Sequence, residues 1–115
     1  MTKVVEYLYV QGSPGIVLET LNRSIGQYKR NYRTIKIGIT GREPQSRYNE
    51  HQRNNKWDRM VVLYRTSSTN FANRIEEWLT LVHWQDLVNQ RIGGGSELTK
   101  HGFNYTYVLL KGKFY

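Results

Sequence analysis

The chain has 115 residues, with 17 basic and 9 acidic side chains, a formal net charge of +8 and no cysteine. This length suits one domain with a modest core, and the absence of cysteine excludes disulfides, iron–sulfur clusters and cysteine-based zinc sites. The excess positive charge favours a polyanionic partner, and a basic protein with no nucleic-acid role is the alternative.

The first part of the chain predicts a strand, a helix and a second strand. β-Branched and aromatic residues indicate a strand over 4–11, which a Gly-Ser-Pro turn ends. From residue 15 to about residue 29, apolar side chains recur at helical spacing, so this segment is a predicted helix. The run TIKIGIT at 34–40 alternates isoleucine with other residues and predicts a strand, which Gly41 ends.

The second part predicts two helices and two strands. Pro44 suits the first turn of a helix that runs to about residue 53. A buried strand at 59–66 precedes a long helix from residue 68 or 69 to about residue 87. The apolar stripe of this long helix comprises Phe71, Ala72, Ile75, Trp78, Leu79 and Val82. A glycine-rich loop at 93–96 leads to a last strand at 103–110, which we predict at the edge of the sheet.

Strands interleaved with helices predict an α+β fold over residues 1–115, with a small central antiparallel or mixed sheet of three to four strands flanked by helices. No apolar run approaches the roughly 20 residues that span a bilayer, and the N-terminal residues show no signal-peptide pattern. We therefore expect no membrane association and a cytoplasmic location.

Two places in these elements carry side chains suited to chemistry. Arg47 and His51 lie four residues apart on the predicted second helix, so both leave the same face and could form an anion or phosphate site. On the long helix, Glu76 lies at the edge of the apolar stripe, while Glu77 points nearly opposite and is expected to be solvated. Taken singly, each of these residues has an ordinary structural role.

Five segments in chain order resemble the motifs of the GIY-YIG nuclease superfamily, from residue 7 to about residue 95. They are YLY at 7–9, KIG at 36–38, RYNEH at 47–51, the helix that carries Glu76, and the segment around Asn89.

The chain departs from the family pattern in three ways. Tyr7 stands where the first motif has glycine, and Lys36 replaces the tyrosine of the second motif. The connection between these motifs is also longer than in the compact family pattern, because a helix is inserted at about 15–30.

The resemblance implies an endonuclease that hydrolyses DNA phosphodiester bonds with one Mg²⁺ or Mn²⁺ ion. Glu76 would bind the ion through its hard carboxylate oxygens, and Arg47 would neutralise charge on the phosphate. Tyr9 would be the general base, and its pKa, ordinarily near 10, would need help from a cation, which Lys36 supplies if the two strands are adjacent. His51 would position the water or contact the phosphate.

A second set of residues is predicted to bind the nucleic acid, namely Arg42, Arg53, Lys56 and Asn89. For Asn89, holding the site together and capping a helix are alternatives. DNA is the expected partner, with RNA as an alternative, and a homodimer is left open because one site cuts one strand at a time.

Two other functions remain open at this point. The first is a non-catalytic nucleic-acid-binding protein with a GIY-YIG-like fold, which the departures at Tyr7 and Lys36 support. The second is a toxin, immunity or inhibitor protein that binds an acidic partner through its basic surface.

Overall fold

The computed structural model describes residues 5–54, 57–89 and 98–114. These residues form an α+β structure, a four-stranded mixed sheet flanked by three α-helices, which confirms the predicted class. Lys56 and the glycine-rich run at 93–96 lie outside the described residues. No helix in the described part of the chain combines the length and the apolar character that crossing a bilayer requires.

The elements follow the predicted order, and most ends agree within a few residues. They are β1 Val5–Val10, α1 Pro14–Asn31, β2 Tyr32–Thr40, α2 Pro44–Asn54, β3 Arg59–Thr66, α3 Thr69–Val82, a short 3-10 turn Trp84–Asp86, and β4 Asn104–Lys113. The helix α3 is shorter than predicted, because its C-cap residue His83 leaves the helical conformation and its backbone N–H bonds back to Leu79.

The order of the strands in the sheet is β1-β3-β4-β2, with β1 parallel to β3 and β4 antiparallel to both β3 and β2. The predicted edge position of the last strand is therefore wrong, since β4 lies inside the sheet. Its run Val108–Leu110 is fully buried, as is typical of a strand covered on both faces. The predicted adjacency of Tyr9 and Lys36 is also wrong, because β1 and β2 lie at opposite edges.

Helices cover both faces of the sheet and bury two apolar cores. On one face, α1 and α3 pack through residues such as Leu21 and Ile75 against Ile37 of β2. On the other face, Tyr48 of α2 packs with Tyr107 of β4. Because side chains alternate along a strand, the residues of β2 between the buried isoleucines, among them Lys36 and Gly38, point to the α2 face.

The buried face of α3 differs from the predicted apolar stripe. Its buried residues are Ala72, Ile75, Glu76, Leu79 and Thr80. Trp78 and Val82 are instead 40% and 48% exposed, so the prediction that they are buried is wrong. The face directed at the sheet includes two polar side chains, Glu76 and Thr80, which cannot be predicted as buried from a pattern of hydrophobic residues. Glu77 is exposed, as predicted.

Candidate active site around Tyr107

Two side chains of α2 converge on the phenol of Tyr107, which is 1% exposed on the central strand β4. Arg47 Nε donates a hydrogen bond to Tyr107 Oη at 3.3 Å, and His51 Nε2 lies 2.9 Å from the same oxygen. The spacing of one helical turn places both residues on one face of α2, and in the structure this face is directed at the sheet. The helix and the strand together therefore build a buried cluster with the phenol at its centre.

Gly38 makes room for this phenol. It is the residue of β2 directly opposite Tyr107 in the antiparallel pair, and the tyrosine ring lies over it. A Cβ atom added at Gly38 would lie 2.5 Å from both Cζ and Oη of Tyr107, far inside van der Waals contact. The glycine of the KIG segment is thus required by the position of the ring on the neighbouring strand.

Lys36 adds a second positive charge to the cluster from β2. Burial and the nearby charge of Arg47 lower the pKa of Lys36. Burial also lowers the pKa of His51, to about 4, with further contributions from Arg47 and Lys36. Mutual repulsion between these groups means that the cluster favours an anion, since a phosphate or carboxylate placed here would be stabilised by both cations.

The hydrogen bonds around Tyr107 have a defined direction at neutral pH. Burial raises the pKa of Tyr107, Arg47 opposes this, and the carboxylates of Glu76 and Glu50 raise it further, so the phenol keeps its proton. Because Arg47 donates to the phenol oxygen, the phenol proton is available to His51. His51 is neutral at pH 7, and its Nε2 can accept that proton.

Glu76 lies on α3, whose apolar residues pack on the opposite face of the sheet from α2. The side chain is 4% exposed, and its carboxylate lies close enough to Tyr107 to raise the pKa of the phenol. Arg47 itself contacts Tyr107 and Glu50. Of the predicted carboxylate and the predicted arginine, Arg47 is the residue that contacts the phenol directly, and Glu76 acts on the pKa of the phenol through its charge.

The donor set for a divalent ion is small. Among the described residues there is no group of three or more histidine, aspartate or glutamate side chains that could enclose a metal. A Mg²⁺ ion usually keeps several waters and takes one or two protein carboxylates together with substrate phosphates. Glu76 therefore fits a site with a single protein carboxylate, and it does not fit a closed metal cage.

Tyr9 lies on the same face of the sheet but outside this hydrogen-bonded cluster. Its ring packs edge-on against Tyr105, with the centroids 6.4 Å apart, and the guanidinium of Arg65 lies 4.7 Å from its centroid. The tyrosine that meets Arg47 and His51 is Tyr107, which the sequence reasoning missed. The available signal was the alternation in the last strand, which places Tyr105 and Tyr107 on one face.

The remaining predicted residues surround the cluster. Glu50 bonds both Arg42 and Arg47, and these hydrogen bonds lower the pKa of Glu50 to about 2. Arg42 and Arg53 are exposed on the α2 side, where a polyanion could reach them.

Asn89 braces the edge strand that carries Lys36. Its side-chain oxygen accepts from the N–H of Ile37 at 3.0 Å, and its amide group donates to the carbonyl of Ile37 at 2.7 Å. The N–H of Val88 also bonds the carbonyl of Ile35. For Asn89 this geometry favours holding the site together over contact with nucleic acid.

No family model, no curated protein and no solved structure matches this chain. The functional interpretation consequently depends on the geometry around Tyr107 and on the motif order in the sequence.

The lowered pKa of His51 predicts a pH-dependent stability. A histidine whose pKa is lower in the folded state stabilises the fold fully above its unfolded value of about 6.5, and this contribution is lost as the pH falls toward 4. We expect the melting temperature to fall over this range, with a contribution from His51 on the order of 2 kcal/mol after allowance for its partial solvation.

Thermal melts between pH 7 and pH 4 test this prediction. His51→Gln should flatten the pH dependence in part, because the pKa of His83 is also lowered by burial and contributes in the same direction. The matched control is His101→Gln, at an exposed position. Parallel melting profiles for the wild type and His51→Gln would contradict the prediction.

Proposed function

We propose that this protein is a divalent-metal-dependent endonuclease of the GIY-YIG type that hydrolyses DNA phosphodiester bonds. The observation that carries the proposal is the convergence of Lys36, Arg47 and His51, from two separate elements, around the buried phenol of Tyr107. The motif order in the sequence and the net charge of +8 support a nucleic-acid substrate.

In the proposed reaction, Lys36 and Arg47 bind the scissile phosphate and stabilise the negative charge that develops on its oxygens. Tyr107 takes the position that the sequence analysis gave to Tyr9. As water attacks phosphorus, it releases a proton to the phenol oxygen while the phenol proton passes to Nε2 of His51. The new bond from the water oxygen to phosphorus replaces the bond to the leaving oxygen, which takes up a proton from solvent.

Glu76 is the residue that would hold the metal ion. When bound, Mg²⁺ or Mn²⁺ supplies charge stabilisation for the phosphate and for the leaving oxygen. A single carboxylate suits this role because it leaves coordination positions for water and phosphate.

A plasmid-nicking assay with Mg²⁺, Mn²⁺ or EDTA tests the proposal. We expect metal-dependent conversion of supercoiled to nicked plasmid, reduced about 10²-fold by Arg47→Ala and by Glu76→Ala. Because the metal ligand acts in the chemical step, Glu76→Ala should retain most DNA binding. The matched control is Glu77→Ala on the exposed face of the same helix. Equal nicking by Glu76→Ala and Glu77→Ala would contradict the assignment of Glu76.

The second candidate function is a nucleic-acid-binding protein that does not cleave. The departures from the family pattern at Tyr7 and Lys36, and the position of Tyr9 outside the hydrogen-bonded cluster, favour it. It predicts salt-sensitive binding of the wild type to DNA or RNA without metal-dependent nicking.

If cleavage is observed, linear product formed together with nicked product would indicate that two copies of the chain act on one duplex.

A further inference from the structure

A row of aromatic and basic side chains continues from the candidate active site along the same face of the sheet. The guanidinium of Arg65 lies between two rings, 3.9 Å from the centroid of Phe103 and 4.7 Å from that of Tyr9. Arg65 Nε donates to Gln11 Oε1 at 2.9 Å, which fixes the plane of the guanidinium. Tyr9 in turn packs edge-on against Tyr105. We call these four residues, Phe103, Arg65, Tyr9 and Tyr105, the aromatic row.

The aromatic row begins next to the proposed reaction centre. Tyr105 precedes Tyr107 by two residues on β4, so both side chains leave the same face about 7 Å apart along the strand. At its other end, Phe103 is 43% exposed, and the members between are partly exposed. A strand of nucleic acid held at Tyr107 would therefore meet the row within one or two nucleotides.

We propose that the aromatic row is a stacking surface for unpaired bases of the nucleic-acid strand that flanks the scissile phosphate, an inference that rests on the proposed function. Aromatic rings and guanidinium planes bind the faces of bases irrespective of sequence. The edge of Arg65 also keeps its positive charge for a backbone phosphate. Bases inside a duplex do not offer their faces, so the row selects a single-stranded segment next to the cleavage site.

The exposure and the charge of the aromatic row suit a nucleic-acid strand with unpaired bases. Phe103 is 43% exposed, so part of its ring is open to a base. The guanidinium of Arg65, 3.9 Å and 4.7 Å from the two ring centroids, adds positive charge that attracts the backbone of a nucleic-acid strand.

Fluorescence anisotropy with labelled oligonucleotides tests the proposal in EDTA, where no cleavage takes place. The probes are a single strand of about 12 nucleotides, within the site sizes of roughly 4–16 typical of such surfaces, and the matching duplex. We expect Phe103→Leu to weaken single-strand binding about tenfold and duplex binding by less than about twofold. A 2-aminopurine base in the single strand should be quenched by the wild type and much less by Phe103→Leu.

The chain provides a matched control at the opposite end of β4. Phe114 is also 43% exposed and also packs against an arginine, with the guanidinium of Arg33 5.0 Å from its ring centroid. Phe114→Leu should leave the affinity for both probes unchanged.

Two outcomes would overturn the stacking surface. In the first, Phe103→Leu changes neither the affinity for the single strand nor the quenching. In the second, Phe103→Leu lowers the affinity for the single strand and for the duplex equally. Self-association of the wild type that Phe103→Leu abolishes, with unchanged oligonucleotide binding, would assign the row to a contact between copies and overturn it too. The two proposals can also fail separately. If the wild type never nicks DNA but prefers single strands, and Phe103→Leu loses this preference, the stacking surface is upheld and the nuclease is refuted.

Discussion

Replacing Tyr107 with phenylalanine is expected to reduce the rate of the proposed metal-dependent DNA cleavage by about 10²–10⁴-fold, the range that a group in proton transfer contributes. The substitution keeps the buried ring over Gly38 and removes only the hydroxyl. Without that oxygen, Arg47 Nε loses its acceptor while Arg47 Nη1 keeps its bond to Glu50, and His51 loses the donor 2.9 Å away. The proposed proton transfer between the attacking water and the imidazole then has no path.

Two further tyrosine variants make this result specific. Tyr32→Phe is the structural control, because Tyr32 is also buried and its hydroxyl also accepts a hydrogen bond from an arginine, Arg59, at 3.0 Å. It should retain cleavage. Tyr9→Phe tests the assignment made from the sequence, and because its ring contacts with Tyr105 and Arg65 are kept, we expect a change of less than about threefold.

The readout is the single-turnover nicking rate, with far-UV and near-UV circular dichroism to show that each variant is folded. Loss of cleavage in Tyr9→Phe together with normal cleavage in Tyr107→Phe would return the general base to Tyr9.

Replacing Gly38 with alanine destabilises the protein by about 1–3 kcal/mol, as expected for an extra methyl group forced into a packed core. The added Cβ would lie 2.5 Å from two atoms of the Tyr107 side chain, which is buried and cannot move aside cheaply. A shift of the ring would also lengthen the hydrogen bonds to Arg47 and His51, so cleavage should fall together with stability.

Gly26→Ala is the matched control for this substitution. Gly26 lies within α1, and a Cβ added there meets no atom within 4 Å. Alanine in the interior of a helix is more favourable than glycine by roughly 0.5–1 kcal/mol, so Gly26→Ala should stabilise the protein. Urea unfolding of the two variants measures the change in the free energy of unfolding, which should be negative for Gly38→Ala and positive for Gly26→Ala. A Gly38→Ala protein as stable as the wild type would show that the Tyr107 ring does not lie over this position.

The local features of the candidate site follow from the sequence. The four-residue separation of Arg47 and His51 places them on one face of α2 whatever the rest of the fold does, because the helical period is fixed by the backbone. The alternation of β2 similarly separates Lys36 and Gly38 from the buried isoleucines. These relations involve residues of a single element, so periodicity was sufficient to predict them.

The pairing of strands could not be predicted in the same way. The sequence analysis took the strand of Tyr9 as the neighbour of β2, and the structure places β4 there, with Tyr107 opposite Gly38. Such pairing joins residues far apart in the chain and is decided by which arrangement buries the most apolar surface. The burial of Val108–Leu110 on both faces draws β4 into the middle of the sheet and leaves the shorter β1 at the edge.

The sequence by itself therefore determined the α+β class, the succession of elements and the side chains that each one presents on a face. Only the tertiary structure decided that Tyr107, and not Tyr9, lies between Arg47 and His51, and that Asn89 binds the backbone of Ile37. The physical reason is the range of the interactions. Backbone geometry repeats over a few residues, whereas packing and strand pairing depend on the whole chain at once.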